Sequence, residues 1–246
     1  MSSSFDALHD FLESVSPQNG DTRLADSLLL GFDTETTGAS VGRDSIVSAS
    51  LVLRVPQTDR REDHAASWVI NPHRPISPAA SRVNGFTDAF LTANGVEPKD
   101  ALHEISGIIA TAQSKSIPLL AYNASFDVGM IESNLRQWGL PGTDISLIID
   151  PLVIDRAVST RRGRRTLSAT TEYYGIEPDG DFHDAHADTV AAVDLIAPIS
   201  ELHPQIADMR LSEAMEWQRQ AYMRWAHSFN KWLQSQGRQP IDETWL

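Results

Sequence analysis

Three short segments, far apart in the chain, carry side chains that could hold hard divalent cations beside a water molecule. They are Asp33-Thr34-Glu35-Thr36-Thr37-Gly38, Asn123-Ala124-Ser125-Phe126-Asp127 and His183-Asp184-Ala185-His186-Ala187-Asp188. Asp33 and Glu35 stand two apart at the end of the apolar run Leu28-Leu29-Leu30-Gly31-Phe32, so in a strand they leave the same face. Two carboxylates pressed together raise each other's proton affinity unless a cation neutralises them. Alone, such a pair reads more readily as a chance strand edge. Asp127 falls in the first turn of an expected helix, where it could simply complement the helix dipole. His183, with an ordinary pKa of about 6.5, suits removal of a proton from water near neutral pH. Asp184 and Asp188 are four apart and share a helix face, so Asp184 is a rival ligand, while His186 reads as a solvated neighbour. Oxygen donors without sulfur suit such hard cations. Their shared chemistry is hydrolysis of a phosphodiester.

Bulk properties bound this reading. A net charge of −13 argues against a broad, non-specific grip on nucleic acid, which needs Lys and Arg. The charge is uneven, however: Arg156, Arg161, Arg162, Arg164 and Arg165 fall close together. They form either a solvated loop or a patch that steers a phosphate chain, with Arg162 and Arg165 as candidate contacts. The chain has no cysteine, which excludes disulfides and thiolate metal sites and fits a reducing, cytoplasmic setting. No apolar run reaches the ~18 residues of a membrane span, and the start shows neither a basic nor an apolar leader region.

The elements that must position these residues follow from periodicity and punctuation. Strands are expected at Leu28–Asp33, Ile46–Arg54 and His64–Asn71, their short links suggesting an antiparallel meander. Two more short strands are expected at Pro118–Tyr122 and Ile145–Ile149. Helices are expected at Ala79–Val83 behind Ser77-Pro78, at Pro98 to about Ser114, and from a Ser125 cap through Trp138. Further helices are expected at Thr166–Tyr174, stopped by Gly175, and at about Ala185–Ala197, ended by Pro198. The order indicates an α/β domain over about 25–200. Residues 1–24 read as an extension with a short amphipathic helix and a loose linker. Residues 201–246 form a second extension, where Leu211–Gln234 spaces Trp225, Phe229 and Trp232 along one amphipathic helix. That stripe covers the domain's own core, the reading we prefer, or docks on a partner.

Taken together, the three ordered segments resemble the DEDDh branch of the DnaQ-like 3′–5′ exonucleases, the class of the proofreading subunit of bacterial DNA polymerase III. Asp33 and Glu35 match the first motif, Asp127 the second, and His183 with Asp188 the third, in the form His-x-Ala-x-x-Asp. The resemblance covers about Leu28 to Ala197, and segment 150–175 with the Trp-rich tail looks like actinobacterial and actinophage members. It implies a ribonuclease H-like α/β fold, with a mixed five-stranded sheet of three antiparallel strands plus parallel ones, flanked by helices. It also implies two Mg²⁺ or Mn²⁺ ions held by Asp33, Glu35, Asp127 and Asp188, and stepwise release of 5′-nucleoside monophosphates from 3′ ends. Glu35 and His183 would be catalytic. Thr36, Thr37, Gly38 and Asn123 would touch substrate, and Phe126 would either stack on a base or fill the core. One departure stands out: the family commonly has His before Gly85, and this chain has Asn84. The implied partners are single-stranded DNA or RNA 3′ ends and a DNA polymerase subunit. The alternatives are an exoribonuclease of the ribonuclease T or oligoribonuclease kind, and an accessory subunit that docks to a polymerase.

Overall fold

A computed structural model of the chain describes residues 4–56, 62–177 and 184–246. Its frame is a five-stranded sheet of β1 (Leu29–Thr36), β2 (Ile46–Arg54), β3 (Asp63–Val69), β4 (Leu119–Leu120) and β5 (Ile148–Ile149). The order is β3-β2-β1-β4-β5, antiparallel on the first side of β1 and parallel on the other. This is the expected mixed sheet. The two parallel strands are shorter than the sequence suggests because side chains complete their ladders. Gln113 Oε1 accepts from Ser146 N and Leu147 N, both at 2.9 Å, and its Nε2 donates to Leu147 O at 3.0 Å.

Helices α1 (Ser4–Ser14), α2 (Pro78–Asn84), α3 (Asp88–Asn94), α4 (Pro98–Ser114) and α5 (Ala124–Gln137) precede β5 or flank the meander. After β5 come α6 (Pro151–Val158), α7 (Leu167–Tyr173), α8 (Ala185–Asp194), α9 (Ile196–Leu202), α10 (Pro204–Ala207) and α11 (Leu211–Ser235). Two apolar layers result. One, with Leu30, Phe32, Ile105 and Ile131, lies under α1, α4 and α5. The other, with Leu29, Leu120, Ile149 and Val193, lies under α8 to α11. No helix among the described residues is long and apolar enough to cross a membrane.

Several boundaries differ from expectation, each for a local reason. Pro198 does not end α8 but sits in the first turn of α9, where its missing N–H costs nothing. Helix α3 starts at Thr87, whose Oγ1 accepts from Phe90 N at 3.2 Å. Helix α6 starts at Asp150-Pro151, an acceptor followed by Pro at the first position, a legible start that the sequence reading passed over. Ser125 is not the cap of α5. Asn123 occupies that position with φ 66°, and its side chain makes no cap. The residues after α1 are not a loose linker: Gln18 bonds Leu28 through both backbone groups and also donates to Ser116 O.

Helix α11 is built into the domain. On the outer side of β5, Gln218 Oε1 accepts from Asp150 N at 2.7 Å while Gln218 Nε2 donates to Ile148 O at 2.7 Å. Trp245, beyond the helix, is buried in the layer under α1 and α4. A Gln218→Ala change leaves two buried backbone groups without this partner. It is expected to lower stability by about 1–3 kcal/mol, read from urea unfolding. A loss within error would show that the edge of β5 needs no such cover.

Candidate active site

Along β1 the side chains alternate between the two layers. Leu30 and Phe32 face α4 and α5, whereas Gly31, Asp33 and Glu35 face α8. Gly31 is what allows α8 to lie close. A Cβ there would meet Val193 Cγ2 at 2.6 Å and Thr189 Cγ2 at 2.7 Å. With α8 seated on β1, Asp188 from its first turn arrives beside the two strand acids. One carboxylate oxygen from each of Asp33, Glu35 and Asp188 lies within 4.8 Å of the others.

Asp127 enters from the opposite layer. It is buried on α5, and its Oδ1 accepts from Thr34 N at 3.1 Å and from Thr34 Oγ1 at 2.7 Å. Helix α5 in turn starts on Asp150, whose carboxylate accepts from Asn123 N and Ala124 N, both at 3.0 Å, and from Leu152 N at 2.9 Å. Asp150 therefore starts two helices at once. It orients Asp127 without belonging to the acid group, and only its place in an Asp-Pro pair hinted at it.

Burial and like charge dominate the electrostatics. Burial, then the neighbouring Asp127, Asp188 and Glu35, push Asp33 well above the usual carboxylate range. Burial raises Glu35 to about 7, with Asp188 and Asp127 adding to the effect and a hydrogen bond from Asn84 opposing it. Asp127 is raised to about 7, again by burial first, while its bonds from Thr34 pull the other way. Three acids this hard to ionise, with the oxygens of Asp33, Glu35 and Asp188 converging, match the donor set of a hard divalent cation. The rival ligand Asp184 serves α8 instead, its Oδ1 accepting from His186 N at 3.0 Å and Ala187 N at 3.1 Å. His183 lies outside the described residues. His186 is exposed, with Nδ1 at 3.4 Å from Ser50 Oγ.

Beside Glu35 opens a cleft of about 280 Å³ bordered by Thr36, Gly38, Ala80, Asn84 and Phe126. Phe126 lines this cleft and also packs against the main core. Gly38 is packed against Asp44, whose carboxylate a Cβ would approach at 2.6 Å. Thr37 is turned inward: its Oγ1 donates to Asp44 Oδ1 at 3.1 Å and accepts from Ser45 N at 3.0 Å. Asn123 is exposed, its backbone held by Asp150. Asn84, marked above only as a departure, donates to Glu35 and, at 3.2 Å, to Thr36 O.

The arginine run is split between the fold and solvent. Fully buried Asp155 takes Arg161 at 2.9 Å, Arg165, and the Tyr174 hydroxyl at 2.9 Å. Arg156 lies over the Trp225 ring, 3.6 Å from its centroid. Arg165 is thereby tied to the fold, and Arg162 and Arg164 are the exposed cations of the run.

A mixed sheet whose central strand ends in two acids, met by a third from a helix laid across it, is a ribonuclease H-like fold with an acid group at its centre. The chain belongs to the RNase_T exonuclease family, whose model matches residues 30–196. It is 31% identical over 159 residues to a PolC-type DNA polymerase III of Staphylococcus epidermidis, and 30% identical over 159 residues to that of Staphylococcus aureus. Each match covers 64% of this chain but 10% of the relative, so the chain spans about a tenth of their length. These relatives are staphylococcal and lend the expected actinobacterial kinship no support. Among solved structures, Exonuclease I superposes with a TM-score of 0.63 at 20% identity over 74% of this chain and 42% of its own. E. coli Exonuclease I in complex with a dT13 oligonucleotide gives 0.61 at 19% identity, over 74% and 43%. The DnaQ-like assignment and the fold expected from sequence are both borne out.

The raised carboxylates set a pH dependence. Because Glu35 and Asp127 hold protons up to about 7 in the fold but only to about 4 when unfolded, the native state binds more protons in between. Chelated protein should therefore lose stability as pH rises from about 4 to about 7. Added Mg²⁺ should restore more at the alkaline end, since binding needs ionised ligands. Melting curves across this range, with EDTA or Mg²⁺, check it; a chelated protein that grows more stable throughout contradicts it.

Proposed function

We propose that this nuclease is a metal-dependent 3′–5′ exonuclease of the DEDDh type. It hydrolyses phosphodiester bonds at 3′ ends of single-stranded DNA and releases 5′-nucleoside monophosphates. The observation that carries the reading is the convergence of Asp33, Glu35 and Asp188 oxygens within 4.8 Å, drawn from two segments some 150 residues apart. Bound Mg²⁺ or Mn²⁺ ions would supply activation of water and neutralisation of charge on the leaving oxygen.

The chain's own residues do the rest. Asp33, Glu35 and Asp188, whose oxygens converge, would hold the metal. Asp127, whose Oδ1 accepts from Thr34, would add its other carboxylate oxygen. His183 takes the proton of the attacking water as its oxygen bonds to phosphorus and the bond from phosphorus to the 3′ oxygen breaks. The cleft at Thr36, Gly38 and Asn84 seats the terminal nucleotide, with Phe126 at its wall. The Asn84 bond to Glu35 favours the ionised carboxylate and so the metal-ready state. E. coli Exonuclease I forms complexes with dT13 and dA16 oligonucleotides, and the sequence relatives are named PolC-type DNA polymerase III. These names support DNA as substrate and proofreading beside a polymerase as the setting.

Purified Asp33→Ala and His183→Ala proteins, assayed on labelled oligonucleotides with Mg²⁺, should each lose at least about 100-fold in rate, the scale of general-base catalysis. Matched DNA and RNA oligonucleotides, labelled at the 5′ end, test polarity and substrate together. Single-nucleotide shortening of DNA supports the proposal. Faster loss of RNA, or full activity in both variants, overturns it.

A further inference from the structure

The cleft beside Glu35 has a basic counterpart farther along the same loop. The segment joining β1 to β2 borders the first cleft at Gly38 and Ala39, turns at Gly42 (φ 83°) and ends on β2. Two contacts seat it on α5. Val41 lies against Gly129, where a Cβ would meet Val41 Cγ1 at 3.1 Å. Asn134, buried on α5, accepts from Ile46 N at 3.1 Å and donates to Asp44 O at 3.3 Å. A third segment is tied to the loop as well. Ser77 N donates to Thr37 O at 3.0 Å, and the Arg74 guanidinium donates to Arg43 O. Between these three pieces is a cleft of about 370 Å³ lined by Arg43, Arg74 and Arg136, with Ser133 and Gln137.

Charge in this cleft is opposite to that of the molecule. In a chain of net charge −13 its walls carry three cations and no acid. All three arginines are exposed, and none of them is in an ion pair among the described residues. The nearby acids are used elsewhere. Asp44 turns into its own loop, accepting from Thr37 Oγ1 at 3.1 Å and from Ser40 N at 2.8 Å. Glu132, one turn before Arg136, accepts from Thr143 N at 2.8 Å. Glu97 pairs with His73 at 2.9 Å, and Asp88 accepts from Ile76 N at 2.8 Å. Local roles account for single groups only. Arg136 complements the C-terminal end of α5, and one Arg74 N–H fastens the loop. Neither role supplies a counter-charge for three guanidinium groups on one cleft.

We infer that this cleft is a second substrate contact, binding backbone phosphates of the nucleic acid whose 3′ end occupies the cleft beside Glu35. A guanidinium fork matches phosphate oxygens in both charge and shape. The position fits too. Ser133 stands seven residues beyond Phe126 on α5, about 10 Å of helix rise, or some three steps of a stacked strand at ~3.4 Å each. The phosphates belong either to the strand being shortened or to a strand paired with it, and the chemistry is the same for both. The inference rests on the exonuclease reading for the end that is bound, not for the binding chemistry.

The test uses Arg43→Gln/Arg136→Gln, which removes two cations and keeps the Arg74 bond, since that bond goes to the backbone of residue 43. Fluorescence anisotropy in EDTA reads binding of a labelled twenty-nucleotide oligothymidylate, alone and annealed to oligoadenylate with its last four nucleotides unpaired. The rate with Mg²⁺ on a thymidine dinucleotide, too short to reach the arginines, reports the cleft beside Glu35. Binding of the long strand should weaken about tenfold, and the slope of log affinity against log salt should flatten by about 0.7 per cation removed. The dinucleotide rate should stay that of wild type. Loss with the single strand assigns the phosphates to the strand being shortened, and loss with the annealed probe alone assigns them to its complement. Unchanged affinity and slope on both probes, in a variant with a wild-type melting curve, overturns the site. An equal fall in the dinucleotide rate overturns it as well, because the arginines would then act on the terminal nucleotide. If wild type binds but shortens neither probe, the exonuclease reading fails while the anisotropy arm still decides this one.

Discussion

Like charges have to be held together. Asp33, Glu35, Asp127 and Asp188 repel one another, each has lost part of its hydration, and the fold must keep them close when no cation helps. The means are the strand ladder and side chains that bond to backbone. β1 is paired along its whole length with β2 and at its start with β4, so Asp33 and Glu35 stand on the most constrained strand of the sheet. α8 is fixed to that strand at Gly31 and capped by Asp184, which sets Asp188. A longer chain of dependence sets Asp127: Gln218 on α11 holds Asp150, and Asp150 holds the first turn of α5. The last long helix is thus structurally part of the site, although none of its residues is an acid ligand.

How much of this could be read from the chain depended on whether the signal was local. Asp33 and Glu35 were legible because strand periodicity fixes their relative direction, and the meander was legible because its three strands are long and apolar. The fold class and the acid group followed from three ordered motifs. The parallel strands were misjudged in length because Gln113, 33 and 34 residues from its partners, replaces backbone ladder bonds. The roles of Asp150 and Asn84 were hidden for the same reason. Their roles are bonds to Ala124 and Glu35, which no local spacing announces.

The arginine run shows the limit most clearly. Five cations in one segment look alike in sequence, yet Arg161 and Arg165 neutralise buried Asp155 and Arg156 lies on an aromatic ring. A residue type gives charge, and only the partner says whether that charge faces a ligand. The converse holds for α11, where the sequence showed an amphipathic stripe and only burial separates Leu211, Ala214 and Ala221, laid on the domain, from Trp232, which stays exposed.

The central claim is that the converging acids are a cation site. Crystals grown or soaked with Mn²⁺ and measured for anomalous scattering test it most directly. The account predicts a strong peak bonded to Asp33, Glu35 and Asp188, lost in Asp33→Asn. Mn²⁺ scattered over the acidic surface, with no peak between those three carboxylates, would contradict it.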